Sequence, residues 1–359
     1  MDYFTNYIIN KKQLINNINL IKNKLSTKCK LCAVVKADCY GLGYENIVPI
    51  IDEFVDFYAV ASVGESKRLR EFTTQKILIL GALELEEIEF CADNNISVSA
   101  NNLEELQMVD KYLKSNILNV HLKINTGMNR FGVKGELFVK KALNFIKKSN
   151  VLNLEGVYTH FATSGEDVSF LLDQYDIFNK TIKKIDNDQL LVHCSSSFAV
   201  ANLKQKFGNM ARVGFVLYDG LSADKNILEI KSKIIHINNV KKGDFIGYGL
   251  SYKAERNLKV GVVGFGYADG FSRSLSNNFS VLVNDRFVPV IGSVCMDCFM
   301  VDLTNIKNVY VGSEVVILGT SGKNKLQLSD YAKSLNTSEY EVLVSFNRKR
   351  CNIVMKNNV

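Results

Sequence analysis

Short apolar runs alternate with amphipathic stretches through the first two thirds of the chain. After Asn10, apolar residues recur at helical spacing, at Leu14, Ile15, Ile18, Ile21 and Leu25. Runs of strand length follow at 31–36, 57–62, 77–81, 96–99, 118–124, 154–160, 190–195 and 211–217. Helix-like segments at 64–72, 84–94, 101–114, 136–149 and 169–185 separate most of them. The segment at 101–114 opens with Asn101-Asn102 ahead of Glu104 and Glu105, an N-cap with acids in the first turn. Eight strand candidates alternating with helices predict the α/β class and a (β/α)8 TIM barrel, with a doubly wound open sheet as the competitor.

From about Ser222 the rhythm changes. Strand-like runs at 227–239, 244–250, 258–266, 279–291, 294–303 and 309–318 follow one another without long helices between them. Asn284-Asp285 lies between Val281-Leu282-Val283 and Phe287-Val288-Pro289-Val290-Ile291, the chemistry of a hairpin turn. A helix is expected at 328–335 and a last strand around 340–354. The division predicted is a barrel over 1–224 and a mostly antiparallel β domain over 225–359.

What stands where the runs end is chemically unusual. The first ends in Lys36, the sixth in His160, the seventh in His193 to Ser197, and the eighth passes through Arg212 to Gly214; the fifth is followed by Asn125-Thr126-Gly127-Met128-Asn129-Arg130. In a barrel these ends surround one mouth, where active sites of the fold sit. Any one of them alone reads as a snorkelling lysine or a structurally satisfied histidine. Two His, two Arg and a Lys at five corresponding ends read together as a site. Lysine amines condense with carbonyl compounds. Ser195-Ser196-Ser197 and Gly214-Phe215 occupy the loops after the seventh and eighth runs, where barrels seat phosphate on backbone N–H groups.

Composition narrows the classes. Hydrophobic residues make up 47% and charged residues 23% of 359, ordinary for a globular protein. No run of about 18 apolar residues marks a membrane span, and the start lacks the pattern of a secretory signal, so a cytoplasmic protein is expected. The net charge of +7 is spread among Asn, Asp and Glu without a basic block, which argues against nucleic acid as a partner. The eight cysteines read as small buried hydrophobes. Cys29/Cys32 and Cys295/Cys298 lie at opposite ends of the chain, unlike the paired spacing of a zinc ribbon, and no metal is expected.

A lysine and a phosphate seat in one mouth suggest pyridoxal phosphate. Val34-Val35-Lys36-Ala37-Asp38-x-Tyr40-Gly41-x-Gly43 resembles the cofactor-attachment signature of the alanine racemases, fold-type III pyridoxal-phosphate enzymes built as a barrel followed by a β domain. Further matches are Lys123-x-Asn125-Thr126-Gly127-Met128-x-Arg130, Thr159-His160-Phe161-Ala162, His193-Cys194-x-x-Ser197 and Arg212-x-Gly214. In the second half they continue with Gly247-Tyr248-Gly249-x-x-Tyr252, Gly266-Tyr267-Ala268-Asp269-Gly270 and Gly292-x-Val294-Cys295-Met296-Asp297.

The resemblance implies racemisation of L-alanine to D-alanine for peptidoglycan, in a homodimer with composite active sites. Lys36 is then the attachment lysine and one catalytic base, and Tyr248 of the partner subunit is the opposite base. Arg212 faces the pyridine nitrogen with His193 behind it, His160 joins the tyrosine's hydrogen-bond network, and Arg130 with the Met296 N–H contacts the substrate carboxylate. Tyr40, Ser197, Gly214 and Phe215 match the phosphate cradle. Tyr252, Tyr267 and Arg273 lie in stretches resembling the substrate entrance, with Asp297 beside Met296. Lys123 stands where some members carry a carbamylated lysine. Two departures are visible: Ser196-Ser197 replaces an Asn-Ser pair, and Phe346 replaces a tyrosine that touches the phosphate. They leave a racemase of broader specificity, serine included, as an alternative, beside another type III enzyme such as a decarboxylase.

Overall fold

The chain opens with β1 (Asn6–Asn10) and the helix Lys11–Lys24, and eight further strands follow. These are β2 (Lys30–Val34), β3 (Phe57–Val60), β4 (Lys76–Ile79), β5 (Ile96–Ala100), β6 (Leu118–Lys123), β7 (Leu152–Tyr158), β8 (Leu191–His193) and β9 (Met210–Val213). In this computed structural model, residues 3–163, 167–183, 185, 189–203, 208–221 and 226–357 are described. The eight strands form one parallel sheet in the order β8-β7-β6-β5-β4-β3-β2-β9. Backbone hydrogen bonds from Asn209 N–H to the Val192 carbonyl (2.9 Å) and from Arg212 N–H to that of Ser195 (3.0 Å) join its two ends, so the barrel reading holds over the open sheet. Strands this apolar are buried on both faces because helices cover the outside and side chains fill the inside. Cys32, Val34, Phe57, Ala59, Leu78, Leu191 and Met210 pack as one such cluster. Ser62 and Asn102 cap the helices Val63–Arg70 and Leu103–Tyr112 by accepting from the Glu65 and Glu105 N–H groups.

The chain groups into Ile15–Ala223 and a second unit made of Met1–Leu14 with Asp224–Val359. The expected cut between 224 and 225 lies outside the described residues, but the first fourteen residues side with the second unit. The cause is β1, which pairs antiparallel with β10 (Leu228–Val240) and parallel with the strand Asn352–Lys356. Strand β10 changes register between Ile234 and His236, pairing with Glu314–Ser321 before the shift and with Leu258–Val263 mainly after it. Asn284 and Asp285 adopt φ of 47° and 60° between Ser280–Val283 and Arg286–Pro289, the predicted hairpin.

Three expected strands differ. The run at 244–250 is a strand only at Phe245–Ile246, because Gly247 and Gly249 turn the chain with φ of 73° and 70°. The run at 309–318 becomes Glu314–Ser321, delayed by Gly312 at φ 103°. The stretch from 340 is first a helix, Glu339–Ser345, whose Ser338 accepts from the Glu341 N–H (3.4 Å), and only then the strand Asn352–Lys356. Cys32, Cys39, Cys91, Cys194 and Cys351 are buried free thiols as expected, whereas Cys29, Cys295 and Cys298 are only half-buried.

Candidate active site

Strand β2 delivers Lys36 at its C-terminal end, and the four residues after it turn the wrong way. Ala37, Asp38, Cys39 and Tyr40 have φ of 51°, 55°, 56° and 57°, a left-handed turn without a glycine among them. Such a conformation costs about 1–2 kcal/mol per residue, so its surroundings have to hold it. Cys39 N–H donates to the Val35 carbonyl (2.9 Å) and Gly41 N–H to that of Ala37 (2.8 Å). Asp38 accepts from the Tyr44 N–H (3.0 Å). Glu65 accepts from the Ala37 N–H (2.9 Å) on one oxygen and from the Ala61 N–H (2.7 Å) on the other, so one carboxylate ties together the ends of β2 and β3.

The turn brings Tyr40 to the loop after β9, the strand paired with β2. A Cβ at Gly214 would stand 2.4 Å from the Tyr40 hydroxyl oxygen, so the backbone there approaches the phenol as only glycine allows. Ser197 Oγ accepts from the Gly214 N–H (3.0 Å). Ser197–Asn202 and Phe215–Asp219 are short helices whose first N–H groups have no intrahelical acceptor. Tyr40, Ser197 and Gly214 are thus brought together just before the helix Phe215–Asp219.

Arg212 is 4% exposed. Nη1 donates to His193 Nδ1 and to the His193 carbonyl, both at 2.8 Å; Nη2 donates to the Thr159 carbonyl (2.9 Å) and meets His160 Nδ1 at 3.3 Å. The fifth donor, Nε–H, has no acceptor among the described residues. Its guanidinium carbon lies 4.9 Å from the centre of the Tyr158 ring, which stacks on His193. Burial, with the charges of Arg212, Arg130, Lys123 and Lys36, pulls the His160 imidazole down to about 3, so it is neutral and its Nδ1 accepts from Arg212.

Behind His193 lies a layer that the motifs did not reveal. His193 Nε2 meets His121 Nδ1 at 2.7 Å, and His121 Nε2 meets Glu155 at 3.0 Å. A Cβ on Gly156 would fall 2.4 Å from His121 Nδ1. Gly156→Ala is therefore expected to lower stability by about 1–3 kcal/mol through overpacking, read as a reduced urea midpoint; an unchanged midpoint would mean that the ring yields freely. The signal was present, as a histidine and a glutamate inside apolar strand runs.

Lys123 ends β6 with its amine 5.1 Å and 5.4 Å from the Phe131 and Tyr158 ring centres. Burial and the charges of Arg130 and Arg212 bring it down to about 8. Beyond it, Asn125 N–H and Val133 N–H bond to the Val133 and Lys123 carbonyls (2.9 and 2.8 Å), pinching off a loop that presents Arg130 exposed.

The remaining candidates belong to the second unit. Tyr248 is 70% exposed, on a turn held by Ser293 Oγ donating to its carbonyl (2.9 Å). Tyr267 N–H and Ala268 N–H donate to the Cys295 and Met296 carbonyls (both 3.0 Å), which joins the Tyr267 turn to the loop carrying Met296 and Asp297. Arg350 bridges Asp269 (2.7 Å) and Asp297 (2.5 Å). Tyr252 opens a two-residue strand, Tyr252–Lys253, and Arg273 a short helix, Arg273–Leu275. Phe346 is buried, packed on Phe265 and Tyr331.

The family models for the alanine racemase N-terminal and C-terminal domains match residues 9–222 and 227–354. Alanine racemase 2 of Caldanaerobacter subterraneus subsp. tengcongensis is 33% identical over 95% of this chain and 92% of its own. The crystal structure of alanine racemase from E. faecalis superposes with a TM-score of 0.92 at 30% identity, covering 98% of both chains. An alanine racemase from Bartonella henselae with covalently bound pyridoxal phosphate, 21% identical, shares the fold at a TM-score of 0.87 over 98% of this chain and 99% of its own. No helix among the described residues is long and apolar enough to cross a membrane. The chain belongs to the alanine racemase family of isomerases.

Proposed function

We propose that the chain interconverts L- and D-alanine with pyridoxal 5'-phosphate, as a cytoplasmic homodimer that supplies D-alanine for peptidoglycan. The residues present fit the cofactor. Tyr40, Ser197, Gly214 and Phe215 would hold the phosphate, Lys36 the aldehyde carbon, and the spare Nε–H of Arg212 the ring nitrogen. When bound, the cofactor draws electrons from the bond between Cα and its hydrogen in an attached amino acid.

The protein's own groups then decide where the proton goes. Inversion at Cα needs a base on each face, and Lys36 and Tyr248 of the partner subunit serve as the pair. A tyrosine 70% exposed on its own chain is free to enter a neighbour's barrel mouth. Arg130 and the Met296 N–H would grip the substrate carboxylate, with Tyr252, Tyr267 and Asp297 lining the approach. Lys123, part neutral near pH 8, suits carbamylation, and the resulting anion would steady Arg130.

The observation that carries this reading is Arg212. An arginine offers donors only, so the ring nitrogen it meets stays unprotonated. With the cofactor bound, such an arginine would leave it a weaker electron sink than an acidic partner would. An acid in this place, as in the decarboxylases of the same barrel type, would do the opposite. Purified protein is expected to be yellow, to be bleached by borohydride, and to racemise L-alanine in a chiral assay ahead of serine and other L-amino acids. Colourless protein that ignores the cofactor and leaves L-alanine optically pure would overturn the proposal.

A further inference from the structure

Among the polar side chains inside the barrel, His121, Glu155 and Ser97 have no place in the chemistry above. Strand β7 is built around one of them. Val120 pairs with Leu154 and His121 with Gly156, so Glu155 is the extra residue of a bulge. The missing Cβ of Gly156 leaves room for the His121 ring. Glu155 takes hydrogen bonds from Ser97, from Lys76 at the first position of β4, and from His121 (3.0 Å). From there the line runs through His121 and His193 (2.7 Å) to Arg212 (2.8 Å).

We propose that Glu155 is a positioning residue for Arg212, acting through His121 and His193 from the opposite end of the barrel. An arginine only donates and a carboxylate only accepts, so the direction of every bond between them is fixed. Arg212 donates to His193 Nδ1, His193 Nε2–H to His121 Nδ1, and His121 Nε2–H to Glu155. Both imidazoles are neutral and both carry their hydrogen on Nε2. With the opposite tautomer at His121, its Nδ1–H would turn His193, which would then aim an N–H at the Arg212 guanidinium. Burial pushes the Glu155 carboxyl up, but the hydrogen bonds from His121, Lys76 and Ser97 outweigh it and bring it to about 2, so the acceptor is permanent. Burial likewise holds His121 and His193 below the ordinary histidine range.

The relay stands on geometry alone; its effect on turnover rests on the function proposed above. The chain has four histidines, so nitrogen-15 labelling of histidine in the full-length protein without cofactor gives a resolvable NMR spectrum. Wild type is expected to show protonated Nε2 and bare Nδ1 for both His121 and His193 at pH 7. Glu155→Leu is expected to shift both rings, the remote His193 included, while Glu155→Gln, which keeps an acceptor, preserves both tautomers. In the loaded enzyme Glu155→Leu is expected to lower kcat by about 10- to 100-fold with KM for alanine unchanged. A wild-type His193 protonated on Nδ1, a Glu155→Leu spectrum altered only at His121, or an undiminished kcat would each overturn the relay. The first of these needs no variant to fold. Wild-type protein that racemises nothing yet shows both tautomers would sink the function and leave the relay standing.

Discussion

Lys36→Ala is expected to abolish alanine racemisation, with a rate loss of at least about 10⁴-fold, the upper range for one general base. The estimate is a floor because the same amine is proposed to hold the cofactor. The fold is expected to survive. Lys36 is exposed at the end of β2 and precedes the left-handed residues, which begin at Ala37. Its side chain makes none of the hydrogen bonds that hold that turn; Val35, Asp38 and Glu65 do. An exposed substitution of this kind moves stability by roughly 0.5 kcal/mol or less. Circular dichroism and thermal unfolding should therefore match the parent while the chiral assay reads zero. Added methylamine should restore a measurable fraction of turnover, since it supplies the missing amine without the missing tether. Racemisation above a tenth of the parental rate without added amine would remove Lys36 from the chemistry.

The barrel was legible because its strands are buried on both faces and so spell themselves as unbroken apolar runs at 31–36, 57–62 and onward. Strand β1 was not. Its five residues, Asn6-Tyr7-Ile8-Ile9-Asn10, find their partners in β10 and Asn352–Lys356, hundreds of positions away, and nothing local announces such pairing. The site divides in the same manner. Lys36, His160, His193 and Arg212 stand where runs end, so the barrel prior makes them visible. His121 and Glu155 stand within runs, and the bulge that turns Glu155 inward is a property of two strands in register, absent from either alone. Glu65 was hidden differently. It occupies the first turn of a helix, where a glutamate reads as a favourable charge near the dipole, yet its two oxygens bind the Ala37 and Ala61 N–H groups. Phe346 was legible only as a departure from the resemblance; its packing in an aromatic core with Phe265 and Tyr331 depends on residues distant in the chain.

Tyr248→Phe removes one oxygen from an exposed ring and is expected to cut racemisation by about 10²- to 10⁴-fold. L- and D-alanine have equal free energies, so kcat/KM has to fall by the same factor in both directions. The loss of one base therefore shows itself elsewhere. In deuterium oxide, the enantiomer whose α-hydrogen faces Lys36 is expected to keep exchanging, while its mirror image retains hydrogen. Equal exchange of both enantiomers, with racemisation near the parental rate, would dismiss the tyrosine. Whether the phenol comes from the partner subunit has its own test, using two inactive chains. In a two-fold dimer of Lys36→Ala with Tyr248→Phe, composite sites concentrate both lesions in one site and leave the other intact. A random mixture should then regain about a quarter of the parental rate, since half the dimers are mixed and each has one good site of two. If each chain used its own tyrosine, every site would carry one lesion and the mixture would stay inactive.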